Sequence, residues 1–271
     1  MQASPTNGAN HNCSVPVSLP FALDRYTLQA RLVPMMIVLC PAGTLAGALA
    51  NWKTLSVGPS ACLGLFATYS GAVLLSEFGR DRGKQKERDL YRLWGGKPST
   101  LALRHLSNAF NPHTLRRYHQ RMSELLPDIR LPNAEQEAAD LAAADAVYES
   151  CGDYLRTQTK DISRFERLFV QNVSFGLRRN LWAMKAYALG LDILCFLTSA
   201  SVIVASLRGH NGLFLGWLTS ALLDLLLLLI WVWIIRPDWV RVPADEYAKQ
   251  LISCCEELEP RPRPPSLITS E

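Results

Sequence analysis

This sequence predicts an all-α integral membrane protein in which two transmembrane helical hairpins flank a helical soluble domain. Long uncharged apolar runs occur in two close pairs, a basic stretch of roughly a hundred residues separates them, and no alternating strand pattern of useful length appears. The runs themselves come first. No charged residue occurs over 32–52 or 54–76, and a spanning helix needs about 20 mostly apolar residues to cover about 30 Å of hydrocarbon. A second pair covers about 186–207 and 212–235, each run holding one acidic residue, Asp192 and Asp224. The links, Asn51-Trp52-Lys53 and residues 208–211, permit only tight hairpins, so both ends of each hairpin face one side. The predicted organisation is therefore a flexible leader at 1–30, hairpins at 31–76 and 185–236, a basic helical domain at 77–184, and a partly disordered tail at 237–271.

Lysine and arginine at the span ends set the orientation, because positive flanks resist translocation. Arg80, Arg82, Lys84, Lys86, Arg88 and Arg92 follow the second span, Arg178, Arg179 and Lys185 precede the third, and only Lys53 and Arg208 lie opposite. Both termini and the central domain are thus expected in the cytosol of a cell whose inner membrane holds the chain. The net charge of +4 conceals an asymmetry, since residues 77–185 carry 19 of the 28 basic residues against 14 acidic ones. Residues 1–20 are polar and lack the apolar core of a secretory signal. Seven cysteines, none in a C-x-x-C pair, point to reduced thiols rather than a zinc site or a disulfide framework. Palmitoylation is an alternative for Cys254 and Cys255.

Within the domain, a helix ends at Trp94-Gly95-Gly96, where glycine closes it, and a short one runs to His105 with Ser99 or Thr100 as N-cap. A third is expected from His113 to Leu126, stopped by Pro127. Asn133 and Gln136 form a capping-box variant opening a longer helix to about Thr159, and a last one from Asp161 leads into the third span.

No catalytic constellation emerges, and no enzyme or cofactor is expected. Gly79 to Lys84 has the outline of a phosphate loop but lacks its spacing, its Ser or Thr after the lysine and its preceding strand. His105, His113 and His119 sit on separate turns without a Cys or Glu at metal-ligand spacing. The basic residues divide into three groups. Arg92, Lys97 and Arg104 surround Gly95 and Gly96, whose amides cradle a phosphate, turn a helix corner anchored by Trp94, or do both. Arg116, Arg117 and Arg121 share a helix. Arg164 and Arg167, with Arg178 and Arg179, interleave with Phe165, Phe169, Phe175 and Trp182, a pattern that suits either an oligonucleotide or anionic lipid headgroups. These eight residues, Arg92, Lys97, Arg104, Arg116, Arg117, Arg121, Arg164 and Arg167, are the candidate ligand-binding set.

Asp192 and Asp224 are the candidate pore-lining residues. A carboxylate inside a span costs about 2.5–3.5 kcal/mol on insertion scales and usually faces a bundle interior or water. No intramembrane Lys or Arg is available, so the two either line a cation pathway formed by repeated copies or are structural, protonated or bonded to hydroxyls such as Thr198, Ser199, Ser201 or Thr219. Gly43 and Gly47, with Ser60, Gly64, Thr68 and Ala72, allow close helix packing within or between chains. Pro34 and Pro41 are expected to kink the first span.

The two hairpins, the basic helical insert and the string Leu93-Trp94-Gly95-Gly96-Lys97-Pro98-Ser99 together resemble bacterial multi-span membrane effectors of antiphage defence, of the Hailong tetrameric channel type. The resemblance covers the architecture over about 30–240 and implies a homo-oligomer, a tetramer in that system. It also implies an ion channel governed by a nucleotide or short single-stranded oligonucleotide, the product of a neighbouring nucleotidyltransferase, with membrane depolarisation and growth arrest as output. The alternative is a non-conducting scaffold whose basic domain binds a protein partner or lipid.

Overall fold

Pro34 has no N–H to donate to the Ala30 carbonyl, and the chain answers ahead of it by widening into a π-helical turn, Thr27–Leu32, before α1, Val33–Lys53. The buried Asn180 Nδ2 donates to that carbonyl at 2.7 Å. This computed structural model describes residues 24–53, 57–209 and 214–259; the predicted leader up to residue 23, parts of both hairpin turns and the proline-rich end from 260 lie outside them. Within 25–30 the chain is helical and Ala30 is fully buried, so the leader's last residues belong to the packed fold.

Further helices follow as α2 (Val57–Trp94), α3 (Pro98–Leu103), α4 (Pro112–Leu125), α5 (Ala134–Ala139), α6 (Leu141–Gln158), α7 (Glu166–Gly209), α8 (Phe214–Trp233) and α9 (Pro237–Ser253), then a 3-10 turn, Cys254–Glu257. The fold is all-α, and four helices are long and apolar enough to cross a membrane. Two of them overrun the apolar zone: α2 has 38 residues and α7 has 44, so the spans continue unbroken into the polar module.

Close approach of α1 and α2 depends on glycine. A Cβ at Gly43 would stand 1.8 Å from Thr68 Oγ1, and one at Gly64 would stand 2.4 Å from the Gly43 carbonyl oxygen. The small-residue motif is therefore used inside one chain. Behind it, Met35, Val38, Ala72, Met184, Ala188 and Trp231 form the bundle core.

The module has its own core around Tyr148, Met122, Leu125 and Leu155, and Leu251, Ile252, Cys254 and Cys255 complete it. Each such aliphatic side chain withdrawn from water contributes about 1.5–3 kcal/mol. Of the tail expected to be partly disordered, residues 237–259 are a folded part of the module, because α9 carries a buried stripe at Val240, Ala244, Ala248, Leu251 and Ile252. Two helix boundaries also differ. Lys97 rather than Ser99 or Thr100 is the N-cap of α3, since Pro98 occupies the first helical position where a missing N–H is harmless. The capping box at Asn133 and Gln136 forms as expected, but Asp140 interrupts the helix by accepting from Ala143 N–H and starting α6.

Candidate functional site

Residues 192, 195 and 199 of α7 and 217, 220, 224, 227 and 231 of α8 recur at helical spacing and are all buried, which places Asp192 and Asp224 on inward stripes. Both side chains have 0% exposure, and among the described residues none of their four carboxylate oxygens has a hydrogen-bond partner. The hydroxyls expected as partners bond elsewhere. Thr198 donates to Leu194 O, Ser201 to Thr198 O and Thr219 to Gly216 O, each at 2.8 Å. A polar run nevertheless adjoins the acids: Ser199 Oγ to Ser220 Oγ and Ser220 Oγ to Thr44 Oγ1, both 3.3 Å. Ser220 is one turn from Asp224 along α8. Within the single chain the acids point into its own bundle and not to its outer surface.

Most of the candidate ligand-binding cations already have partners. Lys97 Nζ pairs with Glu149 at 3.0 Å, and Arg104 grips Asp145 through two bonds of 2.9 and 2.6 Å. Arg117 pairs with Glu256, Arg121 Nη2 donates to Leu258 O at 2.6 Å and its Nε to Cys255 O at 3.3 Å, and Arg164 donates to Glu257 O. These last three arginines clamp the 254–258 turn onto the module. Arg92, Arg116 and Arg167 remain exposed and, among the described residues, without an ion pair. The structure thus does not gather the eight residues into one site.

No known protein family, curated protein or solved structure matches this chain.

The glycine corner resolves in favour of chain reversal. Gly95 and Gly96 adopt φ of +83° and +148°, and their amides donate back to Arg92 O at 3.3 Å and Tyr91 O at 2.8 Å. Neither N–H is left for a phosphate. Trp94 is buried beneath, as expected of an anchor. The aromatic partners of the third basic group are likewise engaged internally, with Arg164 over Phe165 at 5.2 Å and Arg179 over Phe175 at 5.6 Å. Arg179 also forms a buried ion pair with Glu87, which accepts from Tyr91 OH at 2.6 Å.

Two features escaped sequence reading. His105 and His119 meet across different elements with ring centroids 4.8 Å apart, and His119 stacks on Tyr148. Beneath them the buried Glu137 accepts from His105 N–H at 3.0 Å and Tyr148 OH at 2.7 Å. The i+4 spacing from Asn133 to Glu137 marks a capped turn but gives no sign of a long-range acceptor. Cys254 and Cys255 are enclosed, and burial pushes their thiols up to about 11 and about 12. Protonated, inaccessible thiols fit ordinary core residues, not lipidation.

Proposed function

We propose that this chain is a non-enzymatic ion-conducting membrane protein in which Asp192 and Asp224 handle protons or small cations inside the four-span bundle. The enclosed, unpartnered carboxylates carry this reading. Each carboxylate in a span costs about 2.5–3.5 kcal/mol on insertion scales, and among the described residues neither acid recovers any of that through a hydrogen bond or an ion pair. A residue so expensive and so poorly compensated is the signature of an ion pathway. The Ser199–Ser220–Thr44 run supplies oxygens beside them.

The basic module is the controlling part, on the cytosolic side of the inner membrane by the placement of lysine and arginine. Its free cations, Arg92, Arg116 and Arg167, are those best able to meet a nucleotide or oligonucleotide phosphate, since the other five candidates hold the module together. On the resemblance, the assembly is a homo-oligomer, a tetramer, and its output is depolarisation in antiphage defence.

Ion flux through purified protein in liposomes tests this, with and without short DNA or RNA oligomers. Flux in the native protein that disappears in Asp224→Asn supports it; silence under every condition, with correct insertion verified, removes it. A non-conducting scaffold is the second reading, favoured by the cation–aromatic pairs at the span ends. Arg82 lies over Phe78 and Tyr187 at 5.4 and 5.5 Å, and Arg236 over Trp233 at 5.5 Å, positions suited to anionic headgroups.

A further inference from the structure

A cavity of about 410 Å³ lies between α3, the turn at residues 107–109 and one stripe of α9, within the roughly 300–1,000 Å³ typical of small-molecule sites. None of the candidate ligand residues lines it. Its α9 wall presents Arg241, Asp245 and Lys249, four residues apart each time, so that positive, negative and positive charges follow one another at about 6 Å intervals. Ser107 and Asn108 add a hydroxyl and an amide across the opening, and Pro98, Leu101 and Ala248 give an apolar floor.

The charges are only loosely satisfied. Arg241 Nε stands 3.4 Å from Asp245, and Lys249 turns aside to Glu246 at 2.8 Å. Burial raises the Asp245 carboxyl above its ordinary value, and Arg241 and Lys249 offset that only in part. Among the described residues Asp245 has one direct cationic contact, the 3.4 Å one to Arg241. The opposite wall is pre-formed. Arg104 is fixed by Asp145, the His105 N–H by Glu137, and Ser107 Oγ accepts from Ala109 N–H at 3.1 Å. A wall held this way does not have to order on binding.

We infer that this cavity binds a small amine flanked by two anionic groups, an acidic amino acid or an amino acid phosphate, with the ammonium on Asp245 and the two anions on Arg241 and Lys249. A row of alternating charge is complemented by a ligand of the opposite alternation, and a ligand lacking the amine leaves Asp245 facing like charge. The site also sits where binding can be felt in the bundle. Helix α9 follows α8 within a few residues, and the joint is pinned by Lys185 donating to Ile235 O and Arg178 to Trp239 O, both at 2.9 Å. A ligand drawing α9 against α3 therefore pulls on the span that carries Asp224. That consequence rests on the proposed conduction; the binding itself does not.

Isothermal titration of the full chain in detergent tests the binding, using L-glutamate, O-phospho-L-serine and glutarate, which keeps two acids but has no amine. Saturable binding of one of the amines is expected, the preferred one telling carboxylate from phosphate, with glutarate weaker by about tenfold. Asp245→Asn should erase the preference over glutarate, and Arg241→Gln and Lys249→Gln should each weaken binding by about tenfold. Arg130→Gln, at an exposed cation outside every candidate site, should leave it unchanged. No saturable heat with either amine, glutarate binding equal to the amines, or unchanged affinity in the α9 variants would overturn the assignment. These heats are read without a membrane, so they stand or fall independently of Asp224→Asn in liposomes.

Discussion

Glu137 in the polar module and Asp224 in the bundle are both shut away from solvent, at 5% and 0% exposure, and their surroundings are opposite. Glu137 takes two donors, the backbone N–H of His105 and the hydroxyl of Tyr148, and so pins the 104–110 turn against α5 and α6. Asp224 takes none, and neither does Asp192. A buried acid with every donor in place is a structural device. One left bare in an apolar bundle lowers stability and has to be explained by something other than stability. The same contrast runs through the cations. In the module, arginines such as Arg104 and Arg121 close on fixed partners, whereas among the described residues no cation pairs with the acids of the bundle.

The largest expected effect breaks this contrast from the bundle side. Asp224→Asn should bring flux in liposomes down to background while leaving the fold as stable as before, or more stable by up to about 3 kcal/mol, because the charged form no longer has to be kept in the bundle. Thermal unfolding in detergent read beside the flux separates the two. A variant that loses stability and keeps its flux would make Asp224 a structural residue.

Glu137→Ala should do the reverse. Removing the carboxylate strands the Tyr148 hydroxyl and the His105 N–H in the core, at a loss of about 3 kcal/mol of module stability, while flux through protein that remains folded is retained. Hydrogen exchange confined to the module, with α8 unaffected, is the outcome that supports the division. A uniform loss of protection across both regions would show that module and bundle unfold as one.

Next comes the hinge between the regions. Asn180→Ala deprives the Ala30 carbonyl of its buried donor beside Pro34, a loss of about 1–2 kcal/mol, and should loosen the π-helical turn. Asn180→Asp is the sharper variant, since its carboxylate has no N–H for Ala30 and faces that carbonyl with like partial charge. If both behave as native protein in thermal unfolding, the widening of the helix at Pro34 needs no outside partner.

What sequence reading captured and missed divides along similar lines. Spans, hairpins, the Asn133 capping box, the helix starting near His113 and the Trp94-Gly95-Gly96 corner were legible because each is decided by neighbours within a turn or two. Asp192 and Asp224 stood out for the same reason, as charges inside apolar runs. The assignment of Arg117, Arg121 and Arg164 was not legible, because their partners at 255–258 lie roughly ninety or more residues away, across the whole fourth span. The stripe at Val240, Ala244, Ala248 and Leu251 is an ordinary amphipathic signal in the sequence, but which core it covers is decided by those distant partners. The small-residue motif was visible, but whether Gly43 meets Gly64 of its own chain is a question of hairpin geometry that spacing cannot answer.

The smallest effect concerns His119 and tests whether the module's satisfied interior carries a pH dependence of its own. Its Nε2 lies 2.7 Å from Leu103 O and therefore donates, and burial is the main cause holding its pKa below the ordinary 6.5, reinforced by His105 and opposed by the Leu103 carbonyl and Glu137. The folded module thus keeps the ring neutral where the unfolded chain begins to protonate it. Unfolding then takes up protons, so this contribution to stability is complete above about pH 7.5 and declines as pH falls through 6.5 towards the lowered folded value. His119→Gln retains a donor for Leu103 and does not titrate, so its module should lose less stability than native protein between about pH 7.5 and about pH 5.5. Equal slopes in the two proteins would assign the acid sensitivity to other groups and leave the His105–His119 contact a matter of packing alone.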